Sequence, residues 1–419
     1  MLRESFPLIL SVLLLSASLE VHDRQQQAPE ARAVWFNTYA ESFVDLSEAE
    51  FEAKVRDYMG RLSLAGFNTV FYLVKTPWDA KAHYASNTME RITYDYDPLK
   101  IVIEEGRSAG LEVHAYFNVL AEGDSAMAGR LVTNRDWALR TREGFAMGWL
   151  NPFEPGVKDY VLEIIGELVR YEGLSGIQLD RVRFPGNNVG YNEGILQLYR
   201  DATGKTPSND ADPDWVKFRA GGVTSLVKAI SEEVRRLNPN LAISAAVFPD
   251  KYSAFANVLQ DWETWAGMGY VDFLATMSYT DSVSRLESYI RGQVQAVNFT
   301  IPLYVGISAE TATDTLFMDE VSSILGSPAN GFVVFNANLL LESPGKMESL
   351  QRNLGSPAPP TPHSSQSAWE ASREQSIARW KEFSKSIDVF SLAVFGGLAL
   401  GVLALLLLAQ RSRKRSRLR

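Results

Sequence analysis

The 419-residue chain contains no cysteine. Disulfides and thiolate metal sites are therefore excluded, and stability must come from core size rather than covalent staples. Histidine is scarce as well. His22, His83, His114 and His363 are few and scattered along the sequence, which argues against a histidine-rich metal cluster. Basic charge is in deficit: 41 Lys and Arg stand against 50 Asp and Glu, for a formal net charge of −9. Because a basic run closes the C-terminus, the rest of the chain is more acidic still. Nucleic acid is not an expected partner. No Asp-His-His cluster is visible, which leaves a metal-dependent sugar deacetylase only weakly supported. Neither a metal nor an organic cofactor is expected.

The two ends read as targeting segments. Phe6 to Ala17 is an apolar run after Arg3, followed by Ser18, so residues 1–22 are expected to be a signal peptide. Residues 389–409 carry no charge; as a helix they would reach about 31 Å, enough to span the hydrocarbon core. Six Arg or Lys follow within 411–419, which keeps the tail (410–419) cytoplasmic by the positive-inside rule. These features predict a single-pass membrane protein whose central region is extracellular. Between core and membrane, residues 356–388 read as a linker and stalk. Ser356 to Ser367 is rich in Pro and Ser and is expected to be extended and disordered, and Trp369 to Lys385 a polar helix.

From 30 to 355 short apolar runs alternate with helical segments. The strand candidates are Ala33–Thr38, Thr69–Lys75, Leu111–Val119, Gly176–Asp180, Leu241–Phe248, Val271–Tyr279, Ile301–Ile307 and Gly331–Asn336. Most are nearly continuous apolar runs, as parallel strands covered by helices should be. Ser47 with Glu50 forms a capping box, and Asp97-Pro98 and Asp212-Pro213 open helices in the favoured order. The pattern predicts a (β/α)8 TIM barrel. A doubly wound open sheet is the alternative, but no glycine-rich loop follows the first strand. The connections at 120–154 and 181–212 are long and are expected to wall a cleft at the barrel's C-terminal face.

The most informative stretch is Gly176-Ile-Gln-Leu-Asp-Arg-Val-Arg-Phe-Pro185. An apolar run climbs to Asp180 and then breaks into Arg181 and Arg183. Strand alternation puts Gln178 and Asp180 toward the barrel interior, with Ile177 and Leu179 toward the helices. A charged acid at a strand's carboxyl end is placed to meet positive charge developing on a substrate; a structural ion pair is the plain alternative. Other residues after the strands converge on the same mouth: Asn37 and Glu41, Asp79, Asn118 with Glu122 and Asp124, Asp250, Tyr279 with Asp281, Glu310 and Asn336. Trp35, Trp78, Tyr116 and Trp149 add aromatic faces. Such a mixture suits sugar, whose C–H faces stack on rings while acids and amides take the hydroxyls. Glycoside cleavage by the usual route needs two acids. Asp180 is the first candidate, and Asp250, then Glu310 and Glu122, are candidates for the second. Trp35, Asn37, Asp79, Asn118, Arg181, Arg183, Tyr279 and Asn336 are candidate substrate-binding residues. His114, taken to lie out of phase with Asn118, is expected to be a core histidine.

Taken together these segments resemble the glycosyl hydrolase-like 10 family. The resemblance runs from Arg32 to about Asn338 through RAVWFNT (Arg32–Thr38), GFNTVFYLVKTPWDAKAHY (Gly66–Tyr84), HAYFN (His114–Asn118), WLNPFEPGVKDYV (Trp149–Val161), GIQLDRVRFP, the W-x-x-F-R run from Trp215, QDWETW and VDFLATMSYT. It implies a cell-surface barrel acting on glycans, some relatives cleaving peptidoglycan strands stripped of peptide. One common version of the family has two acids in tandem after the fourth strand, where this chain has Asp180 and then Arg181. Asp180 carries over; the partner acid does not. The expectation is a membrane-anchored glycoside hydrolase, with a non-catalytic glycan-binding protein and a structural surface protein as rivals.

Overall fold

The computed structural model describes residues 28–385 except 40, 93, 124, 125 and 356. Its first strands are β1 (Ala31–Phe36), β2 (Thr69–Lys75) and β3 (Glu112–Asn118), followed by a short antiparallel hairpin of β4 (Ala138–Arg140) and β5 (Ala146–Leu150). Next come β6 (Gly176–Asp180), β7 (Ala242–Val247), β8 (Phe273–Met277), β9 (Leu303–Ser308) and β10 (Gly331–Phe335). Leaving the hairpin aside, the remaining eight pair in parallel with their neighbours, and β10 closes on β1. Helices separate the strands, so the architecture is the (β/α)8 barrel read from the sequence.

The apolar runs form strands because both faces are covered. Outward-facing Ile177, Leu179 and Val70 join the shell between strands and helices, while Trp35, Phe71, Ala246, Phe273, Tyr304 and Val333 fill the barrel itself. The helices begin where their caps predict. Ser47 and Glu50 cap each other's backbone, and Asp97 and Asp212 accept hydrogen bonds from the first turns that follow them. Gly306 on β9 makes room for the strand beside it and for the Trp35 indole, since a Cβ there would stand 2.3 Å from the Thr276 carbonyl and 3.1 Å from the indole.

The segment expected to be a free linker is bound to the barrel. Residues 357–365 cross the barrel's N-terminal end, with Thr361 fully buried. A proline-rich segment can dock there because its carbonyls still accept. Glu30 N–H donates to Pro360 and the Asn68 amide to Pro359. The helix that follows, Gln366–Phe383, lays Ala368, Ser372 and Ser376 against the barrel, and the Asn330 amide donates to both serine hydroxyls. Its small-residue face packs on the domain, so this helix is not the free stalk expected. The folded unit accordingly runs past 355 to the end of this helix.

Among the described residues no helix is long and apolar enough to cross a membrane. The expected signal peptide (1–22), membrane helix (389–409) and basic tail (410–419) lie outside the described residues.

Candidate active site

At the C-terminal mouth β1 delivers Trp35. Its indole N–H donates to Gln178 Oε1 over 2.5 Å, which ties β1 to β6 across the barrel interior. Phe71, Phe335 and Tyr279 surround the Trp35 ring at centroid distances of 6.0, 6.1 and 6.4 Å, making an aromatic floor.

Asp180 stands over this floor at the last position of β6 and is only 6% exposed. Arg181, next in sequence, takes a left-handed backbone conformation (φ 47°) that a non-glycine residue rarely adopts. That turn brings the Arg181 N–H back onto Asp180 Oδ1 at 2.6 Å. Strain of this kind is sustained where surrounding structure fixes a functional group. On the other oxygen, the Tyr116 hydroxyl donates to Oδ2 over 2.6 Å. Burial and the neighbouring Asp180 charge push the Tyr116 phenol well above its ordinary pKa, so it remains a donor.

A small cavity of roughly 100 Å³ opens beside this pair, lined by Trp35, Asn37, Tyr39, Trp78, Asn118 and Phe335 among others. Asn37 and Asn118 each leave a buried Oδ1 without a hydrogen-bond partner among the described residues. These are acceptors able to take sugar hydroxyls. Tyr39 and Trp78, both exposed, meet edge to face at 4.6 Å on the rim. On the opposite side the Arg183 guanidinium sits between Trp149 and Phe248, 5.3 and 5.0 Å from their centroids. Burial lowers its pKa, and the Asp180 charge opposes that.

Of the residues expected at the mouth, Trp35, Asn37, Asn118, Asp180, Arg181, Arg183 and Tyr279 come together around this floor. Others are placed differently. Glu122 is sealed away from solvent, where Lys75 Nζ lies 2.6 Å from Oε1, the Tyr160 hydroxyl donates to the same oxygen and the Arg130 N–H to Oε2. Both of its oxygens are engaged in this structural pair. Asp250 is exposed and caps the Lys251–Val258 helix, accepting from Ser253 N–H at 2.7 Å. Asp79 accepts from the Thr76 hydroxyl within its own turn, and Asn336 caps the short Ala337–Leu341 helix. Glu310 is exposed on the loop after β9. Asp281 is exposed too, while Asp124 and the Glu41 side chain lie outside the described residues.

Three contributors were not anticipated in these roles: Tyr116 as the Asp180 partner, and Tyr39 and Phe335 as lining. Positions 114, 116 and 118 are in phase, and Tyr116 is in register with Gln178. That alternation could have placed Tyr116 on the acid's side. The same phase corrects the reading of His114. It faces the barrel interior, with Phe71 and Phe273 at 5.4 and 5.8 Å.

A mouth that combines one held carboxylate, an aromatic floor and unsatisfied amide oxygens fits carbohydrate. The sequence model of glycosyl hydrolase-like 10 matches residues 30–321. The chain belongs to the glycosyl hydrolase-like 10 family. It is 25% identical over 338 residues to the glycosyl hydrolase DigH of Escherichia coli K12, covering 68% of this chain and 74% of DigH. It is 23% identical over 293 residues to the glycosyl hydrolase YngK of Bacillus subtilis, covering 61% of this chain and 55% of YngK. In fold it matches the glycoside hydrolase domain of PgaB (BpsB) from Bordetella bronchiseptica with a TM-score of 0.64. That match covers 79% of this chain and all of the PgaB domain at 12% identity, and so speaks to the barrel alone.

Proposed function

We propose that this chain is a glycoside hydrolase acting on a cell-wall or surface polysaccharide, with peptidoglycan-type glycan strands the first substrates to try. The observation that carries the reading is the Asp180 carboxylate, held by Tyr116 and its own strand-end turn over an aromatic floor. In that position its charge faces an oxocarbenium-like centre as the glycosidic bond opens. Trp35 and Tyr279 stack the ring, Asn37, Asn118 and Arg183 take hydroxyls, and Tyr116 orients the acid. Among the second-acid candidates Glu122 is locked in its ion pair and Asp250 in its helix cap. The proton donor in this reading is Glu310, exposed at the same end of the barrel.

The address belongs to the same reading. A leader at 1–22 and a membrane helix at 389–409 would hold the barrel outside the cell, close to such a polymer. The test is release of new reducing ends from peptide-free peptidoglycan strands and other surface glycans by the chain ending at Lys385. Asp180→Asn should abolish release, and Glu310→Gln should lower it by about 10²–10⁴-fold.

A second reading is a glycan-binding protein that kept the cleft and lost cleavage. Arg181 stands where some relatives have an acid, and Asp250 and Glu122 are committed elsewhere. Glycan binding without release by the unaltered chain would select it.

A further inference from the structure

We propose that the closed base of the barrel binds a divalent transition-metal ion through Glu112, His114 and His363, which clasps the segment after the barrel onto the barrel itself. The site lies at the end opposite the candidate active site and owes nothing to the reading of that site. Glu112 and His114 are two apart on β3 and therefore share its inward side. His363 reaches them from the 357–365 crossing. One ligand atom from each residue lies within 4.8 Å of the others.

The three groups crowd one another at ion-pair distances. Glu112 Oε2 is 3.0 Å from His363 Nε2 and 3.8 Å from His114 Nε2. Both ring nitrogens of the completely buried His114 have no hydrogen-bond partner among the described residues. A buried polar group in that condition destabilises the fold unless something binds it. The other polar atoms of the cluster are held from behind. The Thr361 hydroxyl donates to Glu112 Oε1 at 2.9 Å, and Tyr304 Oη is 2.6 Å from His363 Nδ1. The tautomer that carries its proton on Nδ1 and donates to Tyr304 leaves the His363 Nε2 lone pair free for an ion. Outer partners of this kind orient histidine and carboxylate ligands at metal sites.

The donor set selects the ion. Two imidazole nitrogens and one carboxylate oxygen suit Zn²⁺ and its neighbours, whereas Mg²⁺ and Ca²⁺ prefer all-oxygen shells. Ligands at about 2.0–2.2 Å around a tetrahedral ion stand about 3.3 Å apart; Glu112 Oε2 stands 3.0 and 3.8 Å from the two histidines, and the two imidazole nitrogens, within 4.8 Å of each other, would draw together around the ion. A cleft at the barrel base is lined by His363 together with Asp272, Arg235 and Trp369.

The test is metal binding by the full chain in detergent after treatment with a chelator. Titration with Co²⁺ should give one ion per chain and the visible absorption of a tetrahedral site, displaced by Zn²⁺ with a rise in melting temperature. His363→Ala and Glu112→Gln should each weaken binding by more than the 10–100-fold expected for Tyr304→Phe, which removes only an outer partner. Circular dichroism identifies any variant that fails to fold, and the isosteric Glu112→Gln keeps the test decisive if His363→Ala does. Absence of stoichiometric binding by the unaltered chain, or undiminished affinity in the folded Glu112→Gln variant, overturns the proposal.

Discussion

The Tyr116 hydroxyl donates to Asp180 Oδ2 over 2.6 Å, bridging β3 and β6 where the two strands end side by side. The phenol's raised pKa keeps its proton in place, so Asp180 has a permanent donor on that oxygen. Tyr116→Phe removes a hydrogen bond to a charged group, worth about 1.5–3 kcal/mol. If the bond strengthens in the transition state, glycan release should fall by roughly 10–100-fold in kcat with KM little changed. An unchanged kcat would make the pair structural.

Lys75 and Glu122 are an ion pair without solvent contact. Breaking such a pair leaves one buried charge uncompensated, at about 3–5 kcal/mol. Lys75→Met and Glu122→Leu should each lower unfolding stability by that amount in a urea titration. The double variant should recover most of the loss, because the stranded charge disappears with its partner. Losses that simply add would show that the two side chains act independently.

Asp250 separates a cap from a catalyst. Asparagine caps a helix about as well as aspartate, whereas alanine costs about 1 kcal/mol. Asp250→Asn should therefore leave both stability and glycan release unchanged, and Asp250→Ala should lose about 1 kcal/mol with release intact. Loss of release in the asparagine variant would return Asp250 to the role of proton donor.

The barrel was legible because its signals are local. Thr69–Lys75 and Gly176–Asp180 match the observed strands end to end, and the other six differ by a residue or two at their ends. The Asp180 mouth was legible for the same reason, since alternation along β6 orients Gln178 and Asp180 without reference to any other strand. What failed depends on distant partners. Nothing near Glu122 in sequence says that Lys75, 47 positions earlier, will neutralise it. The β4–β5 hairpin pairs the apolar run Ala146–Leu150 with a strand of only three residues, too short to mark itself. The Pro/Ser stretch after 355 has the composition of a disordered linker, and its docking rests on proline carbonyls that composition cannot show. Two signals were present and unread: Asp250-Lys-Tyr-Ser253 has helix-cap spacing, and Ala368, Ser372 and Ser376 recur every four residues as a small-residue face.

Glu320 gives stability a pH dependence. It is buried in the Asp314–Gly326 helix, neither carboxylate oxygen has a hydrogen-bond partner among the described residues, and burial raises its pKa from 4.5 to about 7. Between those values the folded chain holds a proton that the unfolded chain has released. Stability contributed at low pH is therefore lost as pH climbs from 4.5 to about 7, by up to about 3 kcal/mol. Glu320→Gln should flatten that part of the profile and raise stability at pH 8, as followed by urea unfolding at several pH values. An unaltered profile would assign the dependence to other groups.

The closing segment should matter to the barrel as much as to whatever follows it. Ending the chain at Leu354 removes the Ser372 and Ser376 partners of Asn330 and the Thr361 partner of Glu112. It also uncovers the rings of Phe273 and Tyr304, which His363 covers at 4.4 and 5.8 Å. Exposing one large apolar side chain costs about 1.5–3 kcal/mol. The chain ending at Leu354 should therefore be less stable by at least about 2 kcal/mol than the chain ending at Lys385, with a lower urea midpoint. Because the mouth is at the other end of the barrel, glycan binding by whatever fraction remains folded should be unaffected. Equal midpoints would mean that the segment rests on the barrel without supporting it.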